Sequence, residues 1–483
     1  MEPEPIDAVA AVVSASGIAG RRSRDLIMAL AGGSATLDDL VRDHAVPRRT
    51  AEAILRAAGA DLRSERGRVS LEPSIRQRYL ERFAVAAEAD VTGMAELIAG
   101  APRPDQALDH VSATAGTAER RARWLARTYD LTGARLVCIG DHDLTSLAVR
   151  KALPGTEVTV VDVDERLLEY IDGQGAGIAC YHADLRFGLP PAVAGTADVI
   201  FTDPPYTPEG VQLFLGRGAQ ALRDRTNGRL VMAYGFSPLT PALGLKVQRA
   251  VLDLDLVIEA MLPAFNRYHG AQAVGSASDL YVCRPTTHTW QVLDRRLDKL
   301  AGSANIYTHG EQSLEARTPM SQAARGPARI LGGGPLPADE LTVDLAGDPG
   351  PWLARVLLAL NVPRVTLLVA NNHPDLRDES AQAALRELVG AKYDLRLRRS
   401  TPGPKQATVE AVLRPAEGVA GWLLTHVHGK IGNVLRDALI RADPSLTRAA
   451  AQERAAELVG RPEYLDARLI DLPRHLVVPL LKA

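Results

Sequence analysis

The chain is short of cysteine, of aromatic residues and of net charge: 3 Cys, 4% Phe, Trp and Tyr, and a formal charge of −2 in 483 residues. Each shortage excludes something. Cys138, Cys180 and Cys283 lie far apart in apolar runs, so no disulfide framework or zinc knuckle is available, and reduced, buried thiols of a cytoplasmic protein are expected. Near-zero charge argues against a protein that coats nucleic acid over its whole surface, while leaving room for a local basic face. No run approaches the ~18 uninterrupted apolar residues of a membrane span, and Met1-Glu-Pro-Glu-Pro5 does not lead from a basic segment into an apolar one. Neither export nor a membrane partner is expected. What remains, 46% hydrophobic and 24% charged residues, is the composition of an ordinary globular protein long enough for two or three domains.

Residues 1–84 read as a winged-helix domain. Thr36 and Asp39 make a capping-box start for a helix with Leu37, Leu40 and Val41 on one face. A break at Val46-Pro47 precedes a second helix through Ala51, Ile54, Leu55 and Ala58, ending at Gly59, and 63–71 follow as a two-stranded wing. Seven arginines (42, 48, 49, 56, 63, 66, 68) stand against four acids (43, 52, 61, 65) between 42 and 68. That mild excess permits DNA contact and equally suits a dimerisation module or a lid.

Residues 85–300 read as an α/β, Rossmann-like, doubly wound sheet. A helical stretch over 105–129 leads in, and strand candidates recur at 135–139, 158–162, 178–181, 198–202, 228–234, 254–261 and 279–283. They are apolar without strict alternation and mostly separated by helical pieces, the pattern of a parallel sheet covered on both faces. Ligands in such sheets sit beyond the carboxyl ends of the strands. A linker is expected over 301–338, around Gly332-Gly-Gly334-Pro-Leu-Pro337. A second α/β domain is expected over 339–483, where 341–349, a helix over 352–360 and 365–370 repeat the earlier cadence as a degenerate Rossmann-like copy, with Asn371 where the first copy has Asp162.

The chemistry is concentrated at the strand ends. Gly140 closes the first strand and lets backbone approach a ligand, but the dinucleotide pattern would need glycines at 142 and 145, where His142 and Thr145 stand. Asp141 and Asp143 put negative charge at the sheet mouth, which repels phosphate and attracts an ammonium; the plain reading is that one of them caps the next helix. Asp162 ends the second strand, where a carboxylate accepts ribose hydroxyls. Asp184 stands where a third-strand acid meets an adenine amino group, although any single strand-end Asp is often a turn residue. Asp203-Pro204-Pro205-Tyr206 follows the fourth strand; its prolines fix the backbone so that carbonyls and the Asp203 carboxylate converge on one amine. The lone pair must be free before it attacks a sulfonium carbon, so Asp143 or Asp203 takes the proton, and Tyr206 lies against a cation or base edge. His142, Pro204 and Pro205 would face the acceptor. Asn266-Arg-Tyr-His269-Gly suits the substrate mouth or an ordinary loop, and His426-Val-His428 suits a metal on a strand but has no third ligand nearby, so no metal is assigned.

Gly140-Asp-His-Asp143-Leu-Thr-Ser146, Asp162-Val-Asp-Glu-Arg166 and Asp203-Pro-Pro-Tyr-Thr207, behind an N-terminal winged helix, resemble the branched-chain polyamine synthases (bis(aminopropyl)spermidine synthases) over roughly residues 1–290. The resemblance implies a methyltransferase-like Rossmann sheet that binds decarboxylated S-adenosylmethionine, transfers aminopropyl groups to a secondary amine of spermidine and releases methylthioadenosine. It implies that the family's Gly-Asp-Asp-Asp motif falls on Gly140–Asp143, with Asp143 the key catalytic acid. The middle acid is His142 here, one negative charge fewer. Two other classes stay open: an amino-group methyltransferase using S-adenosylmethionine on a flipped base of DNA or RNA, and a regulator that senses a polyamine or nucleoside without turnover. A homodimer is the expected assembly.

Overall fold

Three sheets organise the described part of the chain: a two-stranded hairpin, a seven-stranded sheet and a four-stranded sheet. The computed structural model describes residues 4–84, 90–300, 306–307, 330–333, 338–346 and 352–482. Most of the linker expected over 301–338 therefore lies outside the described residues.

The N-terminal region runs α1 (Pro5–Ser14), α2 (Arg21–Gly32), α3 (Leu37–His44), α4 (Arg48–Ala58), β1 (Leu62–Glu65), β2 (Arg68–Leu71) and α5 (Arg76–Phe83). Thr36 Oγ1 accepts from Asp39 N at 3.1 Å and Asp39 accepts from Thr36 N at 3.2 Å, the reciprocal cap read from the sequence. Ala45, left-handed at φ 49°, ends α3 just before Pro47. Antiparallel β1 and β2 make the hairpin, and Ala35 bridges Val69. Leu26, Leu30, Leu40, Ile54, Tyr79 and Phe83 fill the core between the helices. The basic excess is partly matched on the spot: Arg42 pairs with Asp39 and Asp43, Arg48 with Asp38 and Glu52, Arg63 with Glu65.

In the central region α6 (Met94–Gly100) and α7 (Ala115–Thr128) precede β3 (Arg135–Ile139), α8 (Thr145–Ala152), β4 (Glu157–Asp162), α9 (Glu165–Gly173), β5 (Ala179–His182), β6 (Val199–Thr202), α10 (Pro208–Ala221), β7 (Arg229–Tyr234), α11 (Pro241–Leu252), β8 (Leu256–Arg267), β9 (Ala277–Pro285) and α12 (Thr289–Leu300). The strand order is β5-β4-β3-β6-β7-β9-β8, with β9 antiparallel to both of its neighbours and the strands from β5 to β7 parallel. β3 to β7 are almost wholly buried because alternate residues enter two separate cores. Val137, Ile139, Ile200 and Met232 face one layer; Leu136, Cys138, Phe201 and Val231 face the other. β4 and β6 flank β3 on opposite sides, so chain order reverses there and a crevice opens beyond the strand ends.

The helix expected over 105–129 is broken. Asp105 accepts from Ala107 N at 2.9 Å and starts a short 3-10 turn, Asp109 turns left-handed, and Ala113 bridges Tyr268 before α7 begins. That detour carries His110 and Ser112 to the crevice.

The C-terminal sheet, β10 (Glu340–Asp344), β11 (Arg364–Ala370), β12 (Tyr393–Arg398) and β13 (Gln406–Leu413), has the order β10-β11-β13-β12. β10 and β11 are parallel around a helix at Trp352–Ala359, but β13 is antiparallel to both of its neighbours. The expected Rossmann-like copy is thus corrected to a single β-α-β unit. The alternating burial of β12 marks a half-exposed hairpin strand, which cannot belong to a sheet covered on both faces. A helix runs over Arg448–Val459. This block packs along edge strand β5: Cys180 N donates to Tyr464 OH at 2.8 Å, and Tyr181 OH donates to the Glu463 carbonyl at 3.0 Å. Glu165 takes ion pairs from Arg355 and Arg474, and Arg474 also holds Asp375 at 2.6 Å. Among the described residues no helix is long and apolar enough to cross a membrane, and the three cysteines are buried and free.

Candidate active site

Every residue singled out at the strand ends, Gly140, Asp141, His142, Asp143, Asp162, Asp184, Asp203, Pro204, Pro205 and Tyr206, lines one cavity of about 950 Å³ at the carboxyl ends of the parallel strands. The acids share the space but not the task.

Gly140 turns left-handed at φ +71°, and a Cβ there would come within 3.2 Å of Phe214. The loop closes through Leu144 N to Asp141 O at 2.9 Å, with Leu144 itself held left-handed at φ 56°, a conformation that costs a non-glycine residue roughly 1–2 kcal/mol. Asp141 points at the start of α8, accepting from Ser146 N at 3.2 Å; the capping alternative applies to this acid. Burial raises its carboxyl to about 7. Asp162 ties two strand ends together by accepting from Asp141 N at 3.0 Å and Asp164 N at 2.8 Å, and burial raises it to about 6. Asp184 departs from its expected posture: Arg186 takes its carboxylate at 2.8 Å, so any adenine amino group would share that acid with a guanidinium.

Asp143 and Asp203 meet on one buried cation. Arg121, from α7 and fully buried, donates to Asp143 Oδ2 at 2.8 Å, Thr145 Oγ1 at 3.1 Å, Asp203 Oδ2 at 2.8 Å, Tyr268 OH at 3.2 Å and Asn266 Oδ1 at 2.8 Å. All five guanidinium donors are used. Asp143 Oδ1 accepts from Ala113 N at 2.7 Å, and Asp203 accepts from Tyr268 OH at 2.7 Å. Tyr268 and Asn266 are in turn held by Ser278 Oγ at 2.8 and 2.9 Å, so the 266–270 stretch is part of the site. Thr202 Oγ1 donates to Ile139 O at 2.7 Å, which locks the two loop-bearing strand ends together.

Two carboxyls so close divide their protonation. For Asp143 burial pushes the pKa up, but Arg121 and the hydrogen bond from Asp203 outweigh it and hold the group below the ordinary carboxylate value. Asp203 is raised, by burial first and by the Asp143 charge second. At neutral pH one carboxylate and one carboxylic acid stand side by side, fixed by a cation that never titrates. Burial also pushes the Tyr206 phenol well up, keeping it neutral, and its ring packs edge-on to Tyr234 at 5.2 Å.

His142 stacks on His110, ring centroids 4.4 Å apart and 12° from parallel, with Nε2 3.4 Å from Ser112 Oγ. His426 is not on a strand; it follows the helix Gly418–Thr425 and stacks on Trp422 at 4.0 Å. Among the described residues no group of three or more metal-ligating side chains forms.

The residues missed from sequence are Arg121 and His110, whereas the 266–270 stretch, read as substrate mouth or ordinary loop, brings Asn266 and Tyr268 onto Arg121. Arg121 left a readable mark: it falls on the face of α7 defined by Ala118, Ala122 and Leu125, and a charge on an apolar helix face must find buried partners.

Residues 91–312 match the family model described as the branched-chain polyamine synthase A C-terminal domain. Over this region, a little under half of the chain, it is similar to the branched-chain polyamine synthase family. It is 36% identical over 181 residues to an uncharacterised protein of Methanocaldococcus jannaschii, covering 37% of this chain and 45% of that one. It is 29% identical over 181 residues to the N(4)-bis(aminopropyl)spermidine synthase of the same organism, covering 36% of this chain and 51% of the relative. With the synthase of Thermus thermophilus the identity is 31% over 145 residues, 29% of this chain and 41% of the relative. The chain thus spans about half the length of the curated relatives it matches. The crystal structure of the branched-chain polyamine synthase of Thermus thermophilus in complex with N4-aminopropylspermidine and 5'-methylthioadenosine overlaps 59% of this chain and 93% of that one, at 22% identity and a TM-score of 0.35.

Proposed function

We propose that this protein is an aminopropyltransferase that moves an aminopropyl group from decarboxylated S-adenosylmethionine to an amine of a polyamine. The observation that carries the reading is the convergence of Asp143 and Asp203, which line the cavity just after β3 and β6, on the fully buried Arg121. The match of residues 91–312 to the branched-chain polyamine synthase model supports it.

The donor brings a carbon activated by a sulfonium, whose sulfur takes the C–S electron pair and leaves as neutral methylthioadenosine. Everything else falls to the protein. We assign Asp162 and the backbone at Gly140 to the ribose and Asp184, held by Arg186, to the base; Gly140, Asp162 and Asp184 all line the cavity. An alkylamine is mostly protonated near neutral pH, so its lone pair is released only if a neighbouring base takes the proton. Asp203 and Asp143 form that base: one site for the proton, one retained negative charge, and Arg121 to keep both oxygens in place. As the N–C bond forms, the nitrogen becomes positive beside that charge, which stabilises it. Pro204 and Pro205 hold the Asp203 loop rigid, and Tyr206 closes the wall with a neutral ring. An intact S-adenosylmethionine carboxylate near Asp141 and Asp143 would be repelled, which favours the decarboxylated donor.

Purified protein incubated with decarboxylated S-adenosylmethionine and a polyamine should yield, by mass spectrometry, a product one aminopropyl group heavier. A product one methyl group heavier with intact S-adenosylmethionine and a nucleic acid would instead establish the methyltransferase reading. We read residues 1–84 as a winged helix, 85–300 as the catalytic domain and 339–483 as an accessory α/β block in a cytoplasmic homodimer. Size-exclusion chromatography with light scattering tests the dimer, and loss of any DNA affinity in the Arg49→Ala, Arg56→Ala double variant tests a DNA-contacting wing.

A further inference from the structure

We propose that the cavity selects a short diamine as acceptor over a triamine such as spermidine, because the wall beside Asp143 is made of two stacked imidazoles, His110 and His142. The proposal rests on the aminopropyl-transfer reading and narrows its acceptor.

Both rings border the cavity, and the Nδ1 atom of each is buried with no hydrogen-bond partner. Centroids 4.4 Å apart and 12° from parallel leave no space between the rings for water or a counter-ion. Burial disfavours the protonated form of each, and for His142 the neighbouring His110 adds to it. The charged groups facing the pair are Asp105, Asp143, Asp162, Asp164 and Arg166. Two of those four carboxylates are paired with a guanidinium, and the other two accept from backbone amides. Asp164 pairs with Arg166 at 2.6 Å, Asp143 with Arg121 at 2.8 Å, and Asp105 caps the turn at Ala107 N. Asp162 is occupied by two backbone amides. A neutral ring face suits methylene groups and offers an ammonium no countercharge.

The consequence is a charge count. The donor carries two positive charges, its sulfonium and its own primary ammonium. Against them stand Asp162, the Asp143–Asp203 pair offset by Arg121, the Asp184–Arg186 pair, and Asp141, which is turned towards α8. Asp109 at the mouth is the further carboxylate that lines the cavity. Once its reacting nitrogen is deprotonated, a diamine brings one more ammonium; spermidine alkylated at its internal nitrogen brings two. The second lies against the imidazole wall, where a Gly-Asp-Asp-Asp loop would present a carboxylate and this chain presents His142.

The test measures binding of putrescine and spermidine by calorimetry on the full chain saturated with 5'-methylthioadenosine, together with kcat/KM for transfer to each. The wild type should favour putrescine by about tenfold or more, a difference of ~1.4 kcal/mol. His142→Asp should move that ratio towards spermidine by about tenfold, while His142→Gln, uncharged, leaves it within about twofold, for one charge removed from or restored to a partly buried site. A wild type that prefers spermidine, a ratio unmoved by His142→Asp in a folded variant, or no binding of either amine overturns the proposal. Transfer with spermidine preferred would leave the aminopropyltransferase reading standing and this one fallen. Preferential binding of putrescine without any transfer to either amine would overturn both. Should His142→Asp fail to fold, the wild-type ratio alone decides.

Discussion

The seven-stranded and four-stranded sheets each contain a β-α-β unit with polar residues at its strand ends; in the first these residues line a cavity, and in the second the described ones bond to neighbouring backbone and side chains. At the first, β3 is flanked by parallel β4 and β6, so the loops after Ile139, Asp162 and Thr202 leave the sheet on the same side and meet. At the second, β11 has a parallel neighbour on one side and antiparallel β13 on the other, so the loops cannot converge in the same way. The polar groups there serve the backbone instead. Asn371, the counterpart of Asp162, accepts from Ser400 N at 2.9 Å and pins the β12–β13 hairpin; His373 Nδ1 accepts from Asp375 N; Asp375 is taken by Arg474. A strand-end acid becomes functional through the direction of the strands beside it, not through its own identity.

That contrast can be broken by substitution. Asp143→Asn and Asp203→Asn should each lower transfer by roughly 10²-fold or more, the usual scale of a lost general base, with circular dichroism unchanged. Asn371→Ala should leave transfer within about twofold, as a position that only holds a hairpin. Equal losses in both sheets would refute the division of labour. Arg121→Gln strips the cation from two buried carboxyls, which costs about 3–5 kcal/mol where a buried pair is broken; denaturant unfolding reads the loss, and Arg121→Lys should recover part of it. Arg474→Ala, which leaves Glu165 with Arg355 and frees Asp375, should loosen the C-terminal block from β5. Faster hydrogen exchange around Cys180 and Tyr181 with kcat unchanged is the expected pattern. Asp141→Asn removes a charged helix cap and should cost only about 1 kcal/mol.

Stability should also depend on pH in a direction fixed by the same acids. Asp141 is raised to about 7 and Asp162 to about 6 in the folded chain, above the ~3.9 of an unfolded aspartate. The folded state therefore holds more protons between those values. Its advantage is full below the unfolded pKa and is lost as pH rises through the folded ones. Melting temperature should fall between about pH 4 and pH 7, and less steeply in Asp141→Asn.

The strands of the large sheet were legible because their apolar runs are bounded by Gly, Asp and Pro; β3 spans 135–139 as read. The site acids were legible because three parallel strands end on Asp or its neighbour. The second sheet misled because one β-α-β cadence looks the same whether the next strand joins parallel or antiparallel, and a single sequence does not encode that partner choice locally. Arg121 escaped, and the 266–270 stretch stayed open between substrate mouth and ordinary loop, because their role arises from packing α7 against that stretch, residues 145 or more apart in sequence. The division between Asp141 as cap and Asp143 as base depended on which carboxylate the turn at Leu144 aims at α8, a backbone detail below the resolution of a motif.

The central claim, that Asp143 and Asp203 act as one proton acceptor fixed by Arg121, is tested most directly by the pH dependence of kcat/KM for aminopropyl transfer in the wild type and in Asp203→Asn. Because Asp203 is raised and works as a base only when deprotonated, the wild-type rate should climb with pH above neutrality, and that climb should be absent from the residual activity of Asp203→Asn. An unchanged ascending limb in the variant would contradict the account.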